Sequence, residues 1–214
     1  MAVPAKQLYL SVERYLYSVE RYLYEEADWP TRREYVDGQI YDMAGASSAH
    51  NLLAGNLFVA LSNLLADQPC VTYQTDMKVK VSESIYYYPD LLVTCEGIED
   101  DAYVSEQPVL IVEVLSRTTR RTDRREKLKE YQRMPSVREC VLISQSRVAI
   151  EVYRREQVDE QWQVQIYTNL QDEISFASIG VQVKVADIYR RVKIAAVTPE
   201  VEPKEEESKE VESE

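Results

Sequence analysis

Residues Pro108–Ser116 read PVLIVEVLS, the most apolar strand-like run in the chain, and a carboxylate, Glu113, stands inside it between Val112 and Val114. A strand of this composition belongs in the middle of a sheet. An ionised side chain there must be paired, protonated or bound to a cation, because unpaired burial costs roughly several kcal/mol. The fold and the function both turn on what Glu113 meets.

Upstream, Tyr86–Val93 reads YYYPDLLV, where Pro89 and Asp90 interrupt a second aromatic and aliphatic run. Proline has no ladder donor, so Asp90 is expected to open a strand rather than lie within one. The connection EGIEDDAYVSEQ is short enough for the two strands to be neighbours with both carboxylates at one end. Asp90 and Glu113, with a carbonyl from the strand after the glutamate, would form a hard, oxygen-rich site suited to Mg²⁺ or Mn²⁺. The alternative account is that Asp90 caps a turn and Glu113 pairs with an arginine from the following segment.

That segment, Ser116–Arg133 (SRTTRRTDRREKLKEYQR), carries eight Lys or Arg against three acids. A phosphate backbone would lie against such a patch, with Arg117, Arg120, Arg121 and Arg124 as contacts. A solvated helix laced with ion pairs explains the same residues without a ligand. Asp123, Lys127 and Tyr131 recur every four positions and share one helical face. Tyr131 reads as a packing residue, with contact to the site as the alternative.

The rest of the chain supplies helices and strands for a mixed sheet. The heptad SVERYLY occurs twice from Ser11 to Tyr24, and a repeat of two helical turns predicts one lengthened surface helix over residues 8–26. REYVDGQIYDM alternates around Asp37-Gly38, a tight hairpin signal over 33–43. Leu53, Leu57, Leu61 and Leu64 follow a Ser47/Ser48 cap, giving a core helix over 49–66 that carries the chain's single histidine, His50. Strands are expected at 71–81, 90–95, 108–115, 138–144, 148–154, 162–168 and 181–185, with a polar helix over 122–134. Tyr86, Tyr87 and Tyr88 read as a half-buried strand edge or a subunit contact. The expected fold class is α/β, a mixed sheet flanked by helices, in a single domain over 1–196 followed by an acidic disordered tail over 197–214.

Composition narrows the function classes. At 214 residues and 45% apolar content the chain can build one substantial core. No run is long enough to span a bilayer, and MAVPAKQLYL lacks the arrangement of a secretory signal, so the cytoplasm and no membrane partner are expected. Cys70, Cys95 and Cys140 are far apart and odd in number, which speaks against a disulfide framework and for cysteine as a small core residue. With one histidine and no Cys-x-x-Cys spacing, structural zinc is not expected. The net charge of −12 disfavours phosphate binding only on average, since half of it sits in residues 200–214, EVEPKEEESKEVESE.

The pair YPD and VEVLS, followed by a helix bearing Asp, Lys and Tyr, resembles the PD-(D/E)XK nuclease superfamily. Taken with REYVDGQIYDM, SSAHNLLAGNL and VEVLSRTTRRTDRREKLKEY in that order, residues 22–153 are similar to the restriction-endonuclease-like Uma-two family, numerous in cyanobacteria. The resemblance implies a restriction-endonuclease-like core, usually dimeric, and a Mg²⁺-dependent endonuclease acting on DNA. It implies Asp90 and Glu113 as metal-binding acids, and it matches Glu34 and His50 to an acid and a histidine of the family. The superfamily pattern has lysine two residues after the glutamate, where this chain has Leu115. The resemblance then implies Lys127, on the next helix, in that lysine's role. Two other readings keep the fold: a noncatalytic nucleic-acid-binding or assembly module, and a phosphoesterase for RNA or small substrates.

Overall fold

The computed structural model describes residues 16–43, 45–97, 99–115 and 126–194. The described residues begin with α1 (Val19–Glu26), the hairpin β1 (Arg33–Val36) and β2 (Gln39–Asp42), and α2 (Ser48–Leu64). Then come β3 (Val71–Gln74), β4 (Lys78–Ser82), β5 (Ile85–Tyr87), β6 (Leu91–Thr94), β7 (Val104–Ser105) and β8 (Leu110–Leu115). The short helix α3 (Leu128–Arg133) leads to β9 (Glu139–Ser144), β10 (Ile150–Arg154) and β11 (Gln163–Tyr167), and β12 (Glu173–Phe176), β13 (Val181–Lys184) and α4 (Val185–Ile188) end the described fold.

One long hairpin organises the two large sheets. β3 pairs antiparallel with β6, and β4 with β5, so residues 71–94 form two arms that bend at 75–77 and 88–90. The tip half joins a five-stranded sheet, β2-β1-β5-β4-β7, and the base half joins a six-stranded one, β11-β10-β9-β8-β6-β3. Pro89 and Asp90 therefore sit where the chain leaves one sheet for the other. A residue without an amide hydrogen costs little there, because no ladder runs through the bend. The single strand expected over 71–81 is divided by the opposite bend at Thr75–Met77.

In the six-stranded sheet β8 is central, antiparallel to β6 and parallel to β9, with α3 in the crossover. Its residues alternate between two cores. Leu110, Val112 and Val114 pack with Leu53, Leu57 and Leu61 of α2 and with the β12–β13 hairpin. Ile111 and Leu115 pack on the other face with Leu128 and Tyr131 of α3 and with Val79 and Tyr87 of the five-stranded sheet. Glu113 belongs to this second face by position.

Several expectations are corrected. The helix expected over 8–26 starts at Val19: Ser18 is an extended N-cap whose hydroxyl accepts from the Arg21 amide at 3.2 Å. Leu16 and Tyr17 precede it outside the helix, with the Tyr17 amide on the Gly38 carbonyl. Capping thus outweighs the heptad's helical pattern. Asp37 and Gly38 both have positive φ in the tight turn, and a side chain at position 38 would press on Leu16. Tyr86, Tyr87 and Tyr88 are buried; Tyr86 and Tyr87 belong to the interior strand β5 and Tyr88 follows it, so they are neither an edge nor an exposed contact. β5, β7 and β12 lie outside the expected strands, each being only two to four residues long. Residues 8–15, 116–125 and the tail at 197–214 lie outside the described residues.

Cys70 and Cys95 are joined by a disulfide, contrary to the expectation from their spacing. They flank the Val71↔Thr94 end of the β3–β6 pairing, so strand register brings together cysteines 25 residues apart. Cys140 is free and buried. No helix among the described residues is long and apolar enough to cross a membrane.

Closing a loop of that length stabilises a chain by about 3 kcal/mol in the loop-entropy account. Cys95→Ala is expected to lower the urea midpoint by a corresponding amount in non-reducing buffer, and dithiothreitol to bring wild type to the same midpoint. Equal midpoints throughout would show that the bond contributes nothing. Burial also sets an alkaline limit. It pushes the Tyr87 phenol from 10.0 up to about 12, with Glu34 adding to the rise, and pushes Tyr189 to a similar value. A raised folded value means the folded state keeps its protons longer. The stability these phenols contribute is complete below pH 10.0 and is lost as pH rises towards about 12. The tyrosinate absorbance that Tyr87→Phe and Tyr189→Phe remove should therefore rise together with unfolding, rather than ahead of it.

Candidate active site

The bend at residues 88–90 and the end of β8 bring five of the expected residues into one network. The β6–β8 register, with Leu91 opposite Val112, continues to set Asp90 opposite Glu113. Asp90 Oδ2 accepts the Val114 amide at 2.6 Å, standing in for the ladder acceptor that β6 no longer supplies. Its other oxygen, Oδ1, lies 2.8 Å from His50 Nε2. His50 comes from the first turn of α2, placed there by the Ser47 cap, whose hydroxyl accepts the His50 amide at 3.1 Å. Gln145 ties this corner together: Ser47 donates to its side-chain oxygen, and its amide nitrogen reaches the Leu115 carbonyl.

Glu113 is reached from the opposite layer. Its Oε1 accepts from the Tyr131 hydroxyl at 2.8 Å, and the Lys127 ammonium lies 3.7 Å from the same oxygen. Lys127, which immediately precedes α3, donates to Glu34 Oε1 at 2.7 Å. Glu34 points inward from β1 beside Tyr87, and the Tyr88 amide donates to it at 3.0 Å. Lys127 Nζ also lies 5.2 Å from the centre of the Tyr87 ring. A lysine does reach the carboxylates, although Leu115 occupies the position two after Glu113. Leu115 instead packs against α3, the helix that Lys127 precedes.

Three carboxylates, Glu34, Asp90 and Glu113, stand against one ammonium in this network among the described residues. Among the described residues no three His, Cys, Asp or Glu side chains converge as a cage for a metal. Zinc and calcium sites built wholly from protein groups need such a cage, whereas Mg²⁺ keeps several waters and uses one or two carboxylates. Asp90, just before β6, and Glu113, on the adjacent β8, are two carboxylates, the donor type that Mg²⁺ or Mn²⁺ takes. Arg117, Arg120, Arg121, Arg124 and Asp123 lie outside the described residues.

Sequence reading favoured packing for Tyr131 over contact with the site; its ring is buried in the core and its hydroxyl also donates to Glu113. The four-residue spacing from Lys127 was the signal, since both side chains face the same strand. The supporting amides of Tyr88 and Val114 had no sequence signal, because backbone donors carry no residue identity.

A mixed central sheet with helices on both faces and acids gathered at one strand end is the architecture of restriction-endonuclease-like proteins. A crystal structure from Anabaena variabilis, described as a putative nuclease belonging to DUF820, matches this fold with a TM-score of 0.66 at 13% identity, over 81% of this chain and 97% of that one. The chain belongs to the Uma2 family. The family model, described as "Putative restriction endonuclease", matches residues 19–186. Two Synechocystis relatives, each named as an uncharacterized protein, are 33% identical over 172 residues and 31% identical over 150, covering 78% and 68% of this chain and 90% and 84% of theirs.

Asp90→Ala should leave the buried Val114 amide without its acceptor and cost about 1–3 kcal/mol in chemical denaturation. Asp90→Asn keeps an acceptor oxygen and should cost less. Equal losses for the two variants would mean that the hydrogen bond to Val114 is not what Asp90 contributes to the fold.

Proposed function

We propose that the protein is a divalent-metal-dependent endonuclease that hydrolyses phosphodiester bonds of DNA, with Asp90 and Glu113 holding Mg²⁺ or Mn²⁺. The observation that carries this reading is the position of Lys127, 2.7 Å from Glu34 and 3.7 Å from Glu113, next to a pair of facing acids. A site lacking lysine at position 115 receives one from elsewhere in the chain. A nuclease-like role is what the family description supports; DNA as substrate, the metal, cleavage within the strand, a homodimer and a cytoplasmic location belong to the proposal.

Asp90 and Glu113 would hold the ion, whose chemistry there would be Lewis acidity toward the phosphate and activation of water. The chain's own groups do the rest. Asp90 is held in place by His50 and the Val114 amide, so His50 acts through the carboxylate rather than on the phosphate. Glu34 and the nearby Glu113 keep the Lys127 ammonium at the site, where it presents positive charge and donors to the phosphate as charge builds on it. Glu34 is itself anchored by the Tyr88 amide, so the lysine's position is set by backbone. Arg117, Arg120, Arg121 and Arg124, in the basic segment after β8, would contact the DNA backbone.

Purified protein is expected to nick plasmid DNA with Mg²⁺ or Mn²⁺ and not with chelator. Glu113→Gln should abolish nicking, and Lys127→Met should slow it by roughly 10²-fold. Activity equal to wild type in Glu113→Gln would place the chemistry elsewhere. The alternative, a noncatalytic binding module, is favoured by Leu115 standing where the superfamily pattern has its lysine. Calorimetry decides between them: heat of Mn²⁺ binding that vanishes in Glu113→Gln supports the nuclease, and no Mn²⁺ binding by wild type supports the module.

A further inference from the structure

We propose that Tyr131 is a positioning residue, whose hydroxyl fixes the Glu113 carboxylate in the orientation that receives the divalent ion; this rests on the reading of Asp90 and Glu113 as metal-binding acids. Glutamate has one more rotatable bond than aspartate, and a strand backbone alone does not fix where its carboxylate points. Asp90 has two donors to hold it, the Val114 amide and His50, the latter from the α2 layer. Tyr131 does the corresponding work for Glu113 from the α3 layer. Its ring is only 1% exposed, packed edge-on to Tyr87 with centroids 5.7 Å apart and surrounded by Leu115, Leu128 and Met134. A ring held that firmly delivers its hydroxyl to one place, 2.8 Å from Glu113 Oε1.

The direction of the hydrogen bond follows from the chemistry. A tyrosine hydroxyl carries a proton to donate, and it lies 2.8 Å from Glu113 Oε1. A carboxylate can only accept from it. Removing such a partner behind a metal ligand typically weakens metal binding by about 10–100-fold. A ring that merely filled space would leave metal affinity unchanged when its oxygen alone is deleted. Tyr131→Phe makes that deletion and keeps the ring.

Calorimetric titration of Mn²⁺ into wild type, Tyr131→Phe and Met134→Ala separates positioning from packing. Tyr131→Phe is expected to bind Mn²⁺ about tenfold more weakly. Met134→Ala, which loosens the same cluster without touching Glu113, should melt at lower temperature and bind Mn²⁺ as wild type does. In plasmid nicking, Tyr131→Phe should need about tenfold more Mn²⁺ for half-maximal rate while its rate at saturating Mn²⁺ stays near wild type. Wild-type Mn²⁺ affinity in Tyr131→Phe would overturn the proposal and leave the metal site standing, as would an equal loss of affinity in Met134→Ala. A wild-type protein that binds no Mn²⁺ would overturn the metal reading, and this proposal with it.

Discussion

A carboxylate in the middle of the central strand is the constraint around which this molecule is arranged. Glu113 is 5% exposed, between residues that supply one core on one face and a second core on the other. At that depth its charge persists only with donors in place. The Tyr131 hydroxyl donates to it and the Lys127 ammonium lies 3.7 Å away on the same side, and their positions dictate where α3 must pack. The crossover from β8 to β9 is thereby a structural requirement and the source of the site's only lysine among the described residues.

Asp90 faces a related constraint. The long hairpin bends to join two sheets, and a bend interrupts the ladder on both arms. At 88–90 the lost acceptor for the Val114 amide is replaced by a side chain, so an aspartate is both a structural cap and an acid facing Glu113. His50 then meets this acid from the helix on the opposite layer. Elements from both sheets and both helical layers are needed to complete the network, and a substitution at any of them acts on stability and on the site together.

A second polar network lies just behind the first. Glu26 accepts from the Arg33 amide and guanidinium and from the Tyr88 hydroxyl, which in turn accepts from Lys78. Burial holds the Lys78 ammonium below its usual titration range. Tyr88 joins the two networks, its amide on Glu34 and its phenol on Glu26. Three consecutive tyrosines thus have three destinations: Tyr86 packs against Tyr22 and Tyr35, Tyr87 against Tyr131, and Tyr88 bridges buried charges. Alternation along a strand accounts for the first two, and the bend that follows accounts for the third.

Much of the site was legible because buried acids in apolar strands announce themselves, and because Lys127 and Tyr131 share a helical face. The hairpin at Asp37-Gly38, the α2 helix and the central strand followed from local periodicity and turn chemistry. What periodicity could not reveal was where one strand changes sheets. VTYQTDMKVK reads as a single strand, and it divides because its partner arm bends at Pro89-Asp90. The Cys70–Cys95 bond was hidden for the same reason: residues 25 apart become neighbours only through pairing register. By itself the sequence determined which residues are apolar, which acids need partners and which segments prefer helix or strand, since those are properties of side chains and short windows. Only the tertiary structure decided that Lys127 lies beside Glu34 and Glu113 and that the Tyr131 hydroxyl donates to Glu113, because contacts between distant segments depend on how sheets and helices pack.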